Sequence, residues 1–174
     1  EKTSKDIKLL NIELPKDFKI IYSEKTDDVL RKMMLVSDNF IAEQILLVCA
    51  STLSNDLDTH DIITYSKTHF MNELANEMNW VDGSGLSRYN LFKPNTSIAL
   101  LKKISNKIND EERLHSLFPA GGVSGTLKRA YKTDNDKAFV WAKTGTLSNV
   151  YNQSGYIITR KGKKLIYSFM NNNS

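Results

Sequence analysis

Two short polar motifs, roughly a hundred positions apart, carry the side chains of this sequence that could do chemistry: Ser37-Asp38-Asn39 and Lys143-Thr144-Gly145-Thr146. The first offers a hydroxyl, a carboxylate and a primary amide. The second offers an ammonium group, two hydroxyls and a glycine that leaves the backbone open to close approach. Acyl transfer to serine needs a nucleophile, a base, donors for the developing oxyanion and groups that hold the substrate. The two motifs supply candidates for the last three. No serine of the chain is followed three positions later by lysine, so a Ser-x-x-Lys nucleophile does not occur within these residues.

Each motif has an ordinary reading. Ser, Asp and Asn all cap helices well, and a lysine before a glycine can be a surface residue at a strand end. By average residue usage, either triplet arises by accident roughly once in thirty chains of this length, and both in this order about once in a thousand. The joint occurrence favours a site.

The elements that must position these groups can be read from the pattern. Thr26 can cap a helix that runs toward Leu35, with Asp27 and Asp28 in its first turn. The Ser37 triplet interrupts it, and a second helix follows from about Phe40 to Leu53. That helix is apolar on nearly all sides, which predicts a central position with Cys49 buried. A helix opened by Thr59 carries Ile62, Ile63, Phe70, Leu74 and Met78 on one stripe. Another starts at Asn95 or Thr96 and runs through Ile108, and a short one spans Glu111–Leu117 before Pro119 and the glycines. Two glycine-rich loops, Asp82–Arg88 and Ala120–Leu127, read as turns near the motifs. From Lys137 the period changes to that of strands: Ala138–Ala142, then a hairpin of Asn152–Thr159 and Lys163–Asn171 around Lys161-Gly162. Two extended pieces are expected within Ile7–Tyr22, around Pro15. Strand alternation puts Lys143 and Gly145 on one face and Thr144 on the other. The order is helices, then an antiparallel sheet, an α+β pattern without an obvious linker.

Serine-aspartate-asparagine followed by lysine-threonine-glycine resembles two of the three active-site signatures of penicillin-binding proteins and serine β-lactamases. The run Ser37 to Glu43, the Asp82–Asn90 loop, the Gly125–Arg129 segment and Lys143–Leu147 followed by Ser154-Gly155-Tyr156 are similar to the D-alanyl-D-alanine carboxypeptidase/endopeptidase family, the class C low-molecular-mass penicillin-binding proteins. The similarity runs from about Ser23 to Asn172 and covers the C-terminal portion of such a protein. It implies a partial penicillin-binding/β-lactamase-like transpeptidase fold, a helical cluster packed on a C-terminal antiparallel sheet, with residues 1–174 as one incomplete domain. It implies that Ser37 relays a proton toward the leaving group, Asn39 holds a substrate carbonyl, and Asp38 braces the turn. Lys143 would present positive charge to the cleft. Thr144 or Thr146 would bind the substrate carboxylate, Gly145 would admit the substrate backbone, and the Thr146 N–H would be an oxyanion donor. The implied substrate is a peptidoglycan stem peptide ending in D-Ala-D-Ala, with β-lactams as inhibitors of the intact protein, no cofactor, and a periplasmic or extracytoplasmic location.

The family carries its nucleophile on a central helix, which these residues do not contain. The chain alone is therefore expected to be inactive, and to self-associate or need the remaining segment, since area bookkeeping at ~25 cal/mol per Å² leaves several kcal/mol of burial unmet. A non-catalytic module that binds cell-wall peptides or a partner protein stays open as an alternative.

Composition narrows the rest. The chain has 174 residues, 25% charged and 40% hydrophobic, a globular balance. No apolar run approaches the ~20 residues of a membrane helix. The net charge of +4 is spread along the chain without interleaved aromatics, so nucleic acid is not an expected partner. Lys161, Lys163 and Lys164 read as a solvated hairpin tip. His60, His69 and His115 show no metal-ligand spacing, and no metal is expected. Trp80, Trp141 and Tyr156 read as core.

Overall fold

A computed structural model describes residues 11–13, 16–54 and 56–172, with Ala75 described by its backbone alone. Residues 7–10 and Pro15, part of the extended pieces expected near the start, lie outside the described residues, and residues 18–23 form no regular strand.

Helix α1 spans Thr26–Val36 and α2 spans Asn39–Ala50. Lys25, not Thr26, is the N-cap of α1, without a side-chain cap, while Asp27 and Asp28 in the first turn suit the helix dipole. Helix α3, Thr59–His69, is capped by the Asp58 carboxylate accepting from the His60 N–H. The stripe from Ile62 to Met78 does not continue as one helix. After His69 the chain turns, makes a 3-10 segment at Asn72–Glu77, and enters the two-residue strand β1, Met78–Asn79, which pairs antiparallel with β2, Leu91–Phe92. Helix α4 spans Pro94–Ile108, and proline at its first position fits because that N–H has no helical partner. Helix α5, Glu111–Ser116, is capped by Asp110. A 3-10 turn at Gly125–Leu127 precedes the sheet.

Strands β3 (Val140–Leu147), β4 (Val150–Ile158) and β5 (Lys164–Asn172) form an antiparallel sheet in that order. Strand β3 runs five residues past the expected end at Ala142 and takes in the whole lysine motif. The β4–β5 hairpin turns where expected, with Gly162 at positive φ and its N–H donating to the Thr159 carbonyl. The structure is thus the mixed helix and antiparallel sheet that the pattern predicts.

One face of the sheet carries Trp141, Tyr156 and Ile166, which pack with Leu101, Leu114, Leu117 and Phe118 from α4, α5 and the turn that follows. Tyr156 donates to the Leu101 carbonyl at 2.8 Å, and burial pushes its phenol up to about 12. His115 stacks flat on Trp141 with ring centroids 3.7 Å apart. The other face carries Val140 and Ala142 against Leu127.

Helix α2 departs from expectation. Only Leu46 and Ala50 are buried, in a cluster with Ile62 and Ile63 of α3. Phe40 and Val48 are 72% and 65% exposed, and Cys49, expected inside, is exposed. The sequence showed a helix apolar all round, and within the described residues only one of its faces is covered.

Helix α1 has no fully buried residue, but its half-buried Leu30 and Met34 pack against the cluster of α4, α5 and the sheet, and specific ties add to that contact. Arg113 of α5 holds Asp27 through two hydrogen bonds of 2.7 and 2.8 Å, and Arg31 Nε donates to the Ser116 carbonyl at 3.3 Å. At the other end of α1, Gly125 sits at φ +59°, where a Cβ would lie 2.7 Å from the Leu35 carbonyl oxygen. A glycine is needed there both for the conformation and for the approach.

Candidate active site

The break between α1 and α2 is built by the first motif. Ser37 takes a left-handed conformation, φ 57° and ψ 52°, and ends α1, with the Met33 carbonyl accepting the backbone N–H groups of both Ser37 and Asp38. A serine pays about 1–2 kcal/mol for that conformation, where glycine would be free of strain. Asp38 then starts α2 as its N-cap, its carboxylate accepting from the Ile41 N–H at 2.9 Å. The capping reading of this triplet therefore holds for Asp38, and Ser37 and Asn39 are left with other surroundings. Asn39 opens α2 with an exposed side chain that makes no hydrogen bond among the described residues.

The second motif reaches the first. Lys143 Nζ donates to Ser37 Oγ at 2.7 Å, joining positions 106 apart in the chain, and donates also to the Thr144 carbonyl. Burial lowers the pKa of this lysine below its ordinary value. A hydroxyl has one proton and two lone pairs. With Lys143 donating into one lone pair, the Ser37 O–H is left to donate elsewhere.

Backbone alternation along β3 defines what its outer edge offers. Strand β4 covers one side. On the other, the Val140 carbonyl accepts from the Gly121 N–H and the Ala142 N–H donates to the Pro119 carbonyl. The N–H and C=O of Thr144 and Thr146 point the same way as those of Ala142, because alternate residues of a strand share an edge. Beyond Ala142 no backbone group among the described residues pairs with that edge. Thr146 and Gly145 are exposed. A Cβ built on Gly145 would meet nothing within 4 Å, so nothing among the described residues requires glycine there. Thr144 lies on the opposite face from Lys143, as the strand period predicts, and its Oγ1 donates to Thr126 Oγ1 at 2.9 Å.

The Asp82–Asn90 loop is structural in its own hydrogen bonds. Burial pushes the Asp82 carboxyl up, but donors from Asn90, Gly85, Ser87 and Ser84 outweigh it and hold the group below the ordinary carboxylate range. Trp80 Nε1 donates to the Asp82 carbonyl. A large void of the surface is elsewhere. It measures about 420 Å³ and lies between the α4–α5 turn and the sheet, near Asn109, Glu111 and Lys164.

Sequence reasoning thus named Ser37 and Lys143, which the fold joins, and Asn39, Gly145 and Thr146, which it leaves open beside them. It missed Thr126 as the partner of Thr144. No local pattern marks that pair, because it depends on the turn at Gly125 folding under β3.

The serine–lysine contact thus joins a helix break to the edge strand of a mixed helix and antiparallel-sheet scaffold. The chain belongs to the D-Ala-D-Ala carboxypeptidase 3 (S13) family, whose profile matches residues 19–174. It is 33% identical over 157 residues to D-alanyl-D-alanine carboxypeptidase DacB of Haemophilus influenzae, covering 83% of this chain and 31% of that protein. It is 26% identical over 168 residues to penicillin-sensitive carboxypeptidase A of Dictyostelium discoideum, covering 91% of this chain and 32% of that one. Among solved structures, penicillin-binding protein 4 of Haemophilus influenzae, in complex with a β-lactam, superposes with a TM-score of 0.70 at 30% identity, over 84% of this chain and 35% of that one. The chain spans about a third of the length of these relatives.

Proposed function

We propose that this chain is the substrate-binding and oxyanion side of a serine-type D-Ala-D-Ala carboxypeptidase/endopeptidase that acts on peptidoglycan stem peptides, outside the cytoplasmic membrane, through an acyl-enzyme. The nucleophile comes from another part of the longer protein, and residues 1–174 are one incomplete domain that is inactive alone. The observation that carries this reading is the 2.7 Å contact of Lys143 Nζ with Ser37 Oγ. It brings both motifs to one place, with an ammonium group and a strand edge beside it that no other strand among the described residues covers.

In this reading the nucleophile attacks the penultimate D-Ala carbonyl and the Thr146 N–H on the open edge of β3 donates to the oxyanion. Asn39 holds a substrate carbonyl. As the peptide C–N bond breaks, the Ser37 O–H passes a proton to the leaving amine and regains the one that the attacking hydroxyl gives up to a base of the longer protein, while Lys143 stabilises the Ser37 oxygen during the relay. The terminal carboxylate lies near Lys143, a charge-assisted contact that favours a free C-terminus. A β-lactam presents the same carbonyl and carboxylate. No cofactor takes part.

The test is release of D-alanine from a synthetic stem pentapeptide by the longer protein. Release that stops when penicillin is added supports the reading, whereas a well-folded protein that releases none overturns it.

Two expected outcomes follow from the same geometry. Gly145→Ala in the longer protein should leave stability within about 0.5 kcal/mol, since the methyl meets nothing in the chain. It should slow penicillin acylation about tenfold by occupying the path of the substrate backbone. Equal losses of stability and rate would speak against a substrate at that edge. Residues 1–174 alone should self-associate, because Phe40, Val48 and Phe169 are 72%, 65% and 53% exposed. Sedimentation velocity showing one sharp monomer, with cooperative unfolding, would contradict this.

A further inference from the structure

Helix α2 packs on α1 and α3, and β3 on β4, so the distance between Asn39 and the β3 edge is fixed only indirectly. The Ser37–Lys143 contact fixes one end. The Asp82–Asn90 loop fixes the other, and Glu43 holds that loop. Glu43 lies four residues after Asn39, on the same face of α2 and one turn before buried Leu46. Its Oε2 accepts from the Gly83 N–H at 2.8 Å and from the Ser84 N–H at 2.9 Å. The contact is tight: a Cβ on Gly83 would lie 2.9 Å from the Ala42 carbonyl oxygen and 3.1 Å from Leu46 Cβ. From there the Asp82 carboxylate gathers the Gly85 and Ser87 N–H groups and the Asn90 amide at 2.6, 2.8 and 2.9 Å. Arg88 Nη2 then donates at 3.3 Å to the Ser148 carbonyl, in the turn between β3 and β4. Hydrogen bonds, joined through the loop backbone, therefore lead from the first turns of α2 to the far end of β3.

We propose that Glu43 is a positioning residue for acyl transfer: by clamping the loop to α2 it sets where Asn39 stands relative to the Thr146 edge. This rests on the function proposed above. Glu43 does not touch substrate. It acts through the backbone of Gly83 and Ser84, and an acceptor oxygen at that place is what the role requires.

The test uses the longer protein with E43A and E43Q, and reads three quantities: the rate of acylation by a fluorescent penicillin per folded molecule, the melting temperature, and amide hydrogen exchange at Gly83 and Ser84. E43A should slow acylation about tenfold per folded molecule, as misplaced catalytic groups do, and speed exchange of both amides. E43Q keeps an acceptor oxygen and should stay within about threefold of wild type on the same grounds. E43A acylating at the wild-type rate, or E43Q as slow as E43A, would overturn the proposal. If the wild-type protein takes up no penicillin, the proposed function fails first, and exchange then decides the clamp separately. Gly83 and Ser84 protected in wild type but not in E43A would uphold it, and equal exchange in both would end it.

Discussion

Replacing Lys143 with alanine in the longer protein should slow acylation by penicillin about 10²–10³-fold, the range measured when one preorganised stabiliser of transition-state charge is removed. The reason is electrostatic. This ammonium group is partly withdrawn from water, and burial lowers its pKa. Its field on nearby charge is correspondingly less screened than that of a surface lysine. It also donates to Ser37 Oγ, so its loss frees the hydroxyl to turn away from the leaving group. Lys143→Arg should restore little, because a planar fork on a longer stem cannot reproduce a point donor in that space. A plain surface lysine would give no change in rate with any of these substitutions. Linkage supplies a second readout. The folded-state pKa lies below the ordinary 10.5, so the unfolded chain holds this proton more tightly. Stability should therefore rise with pH through the window from the lowered value up to 10.5, and Lys143→Met should remove that part of the slope.

Gly155→Ala should be the most damaging single-methyl change for the fold. Gly155 pairs with Ala142 across β3 and β4, and Ala142 is completely buried. A Cβ at 155 would lie 2.1 Å from the Trp141 carbonyl oxygen and 2.5 Å from both Cα and Cβ of Ala142. Close carbon–oxygen contacts in sheets sit near 3.3–3.6 Å, so β3 would have to move by more than about 1 Å. That shift falls one position from Lys143↔Ser154 in the register. The expected loss is about 3 kcal/mol or more, the upper range for overpacking joined to broken ladder bonds. The urea midpoint of the longer protein measures it. A midpoint equal to that of wild type would mean that β3 and β4 do not pack in this register.

The two changes separate the two parts of the site. Lys143→Ala should remove chemistry and leave the scaffold, and Gly155→Ala should remove the scaffold. Gly145→Ala, ten positions before Gly155 in the same hairpin, should leave the scaffold and obstruct the edge. Three substitutions in one pair of strands thus have three distinct expected signatures. A surface strand without a ligand would give only the second.

Much of this was legible in the sequence where a local rule suffices. The period of two in β4 and β5 and the Lys161-Gly162 turn mark the hairpin, and Pro119 marks the end of the helical half. Helix α3 begins at Thr59 and α5 at Glu111, as the pattern predicts, each directly after a capping aspartate, Asp58 and Asp110. Strand alternation put Lys143 and Thr144 on opposite faces, as observed. What could not be read depends on partners far along the chain. The period of α2 shows apolar residues on nearly all sides but cannot say which side the rest of the chain covers, so it predicts a buried Cys49 where the structure has an exposed one. The stripe from Ile62 to Met78 matched a helix, but the chain leaves it after His69 so that Met78 can pair with Phe92. Glu43 follows Asn39 by one helical turn and was visible as a residue. Its role was not, because its partners are backbone groups forty positions later.

The most direct measurement of the account is to acylate the longer protein with penicillin and locate the adduct by peptide mass spectrometry, beside its Lys143→Ala variant. The account predicts an adduct on a serine outside residues 1–174, formed at the wild-type rate only when Lys143 is present. An adduct on a serine within these residues, or one that forms equally fast without Lys143, would contradict it.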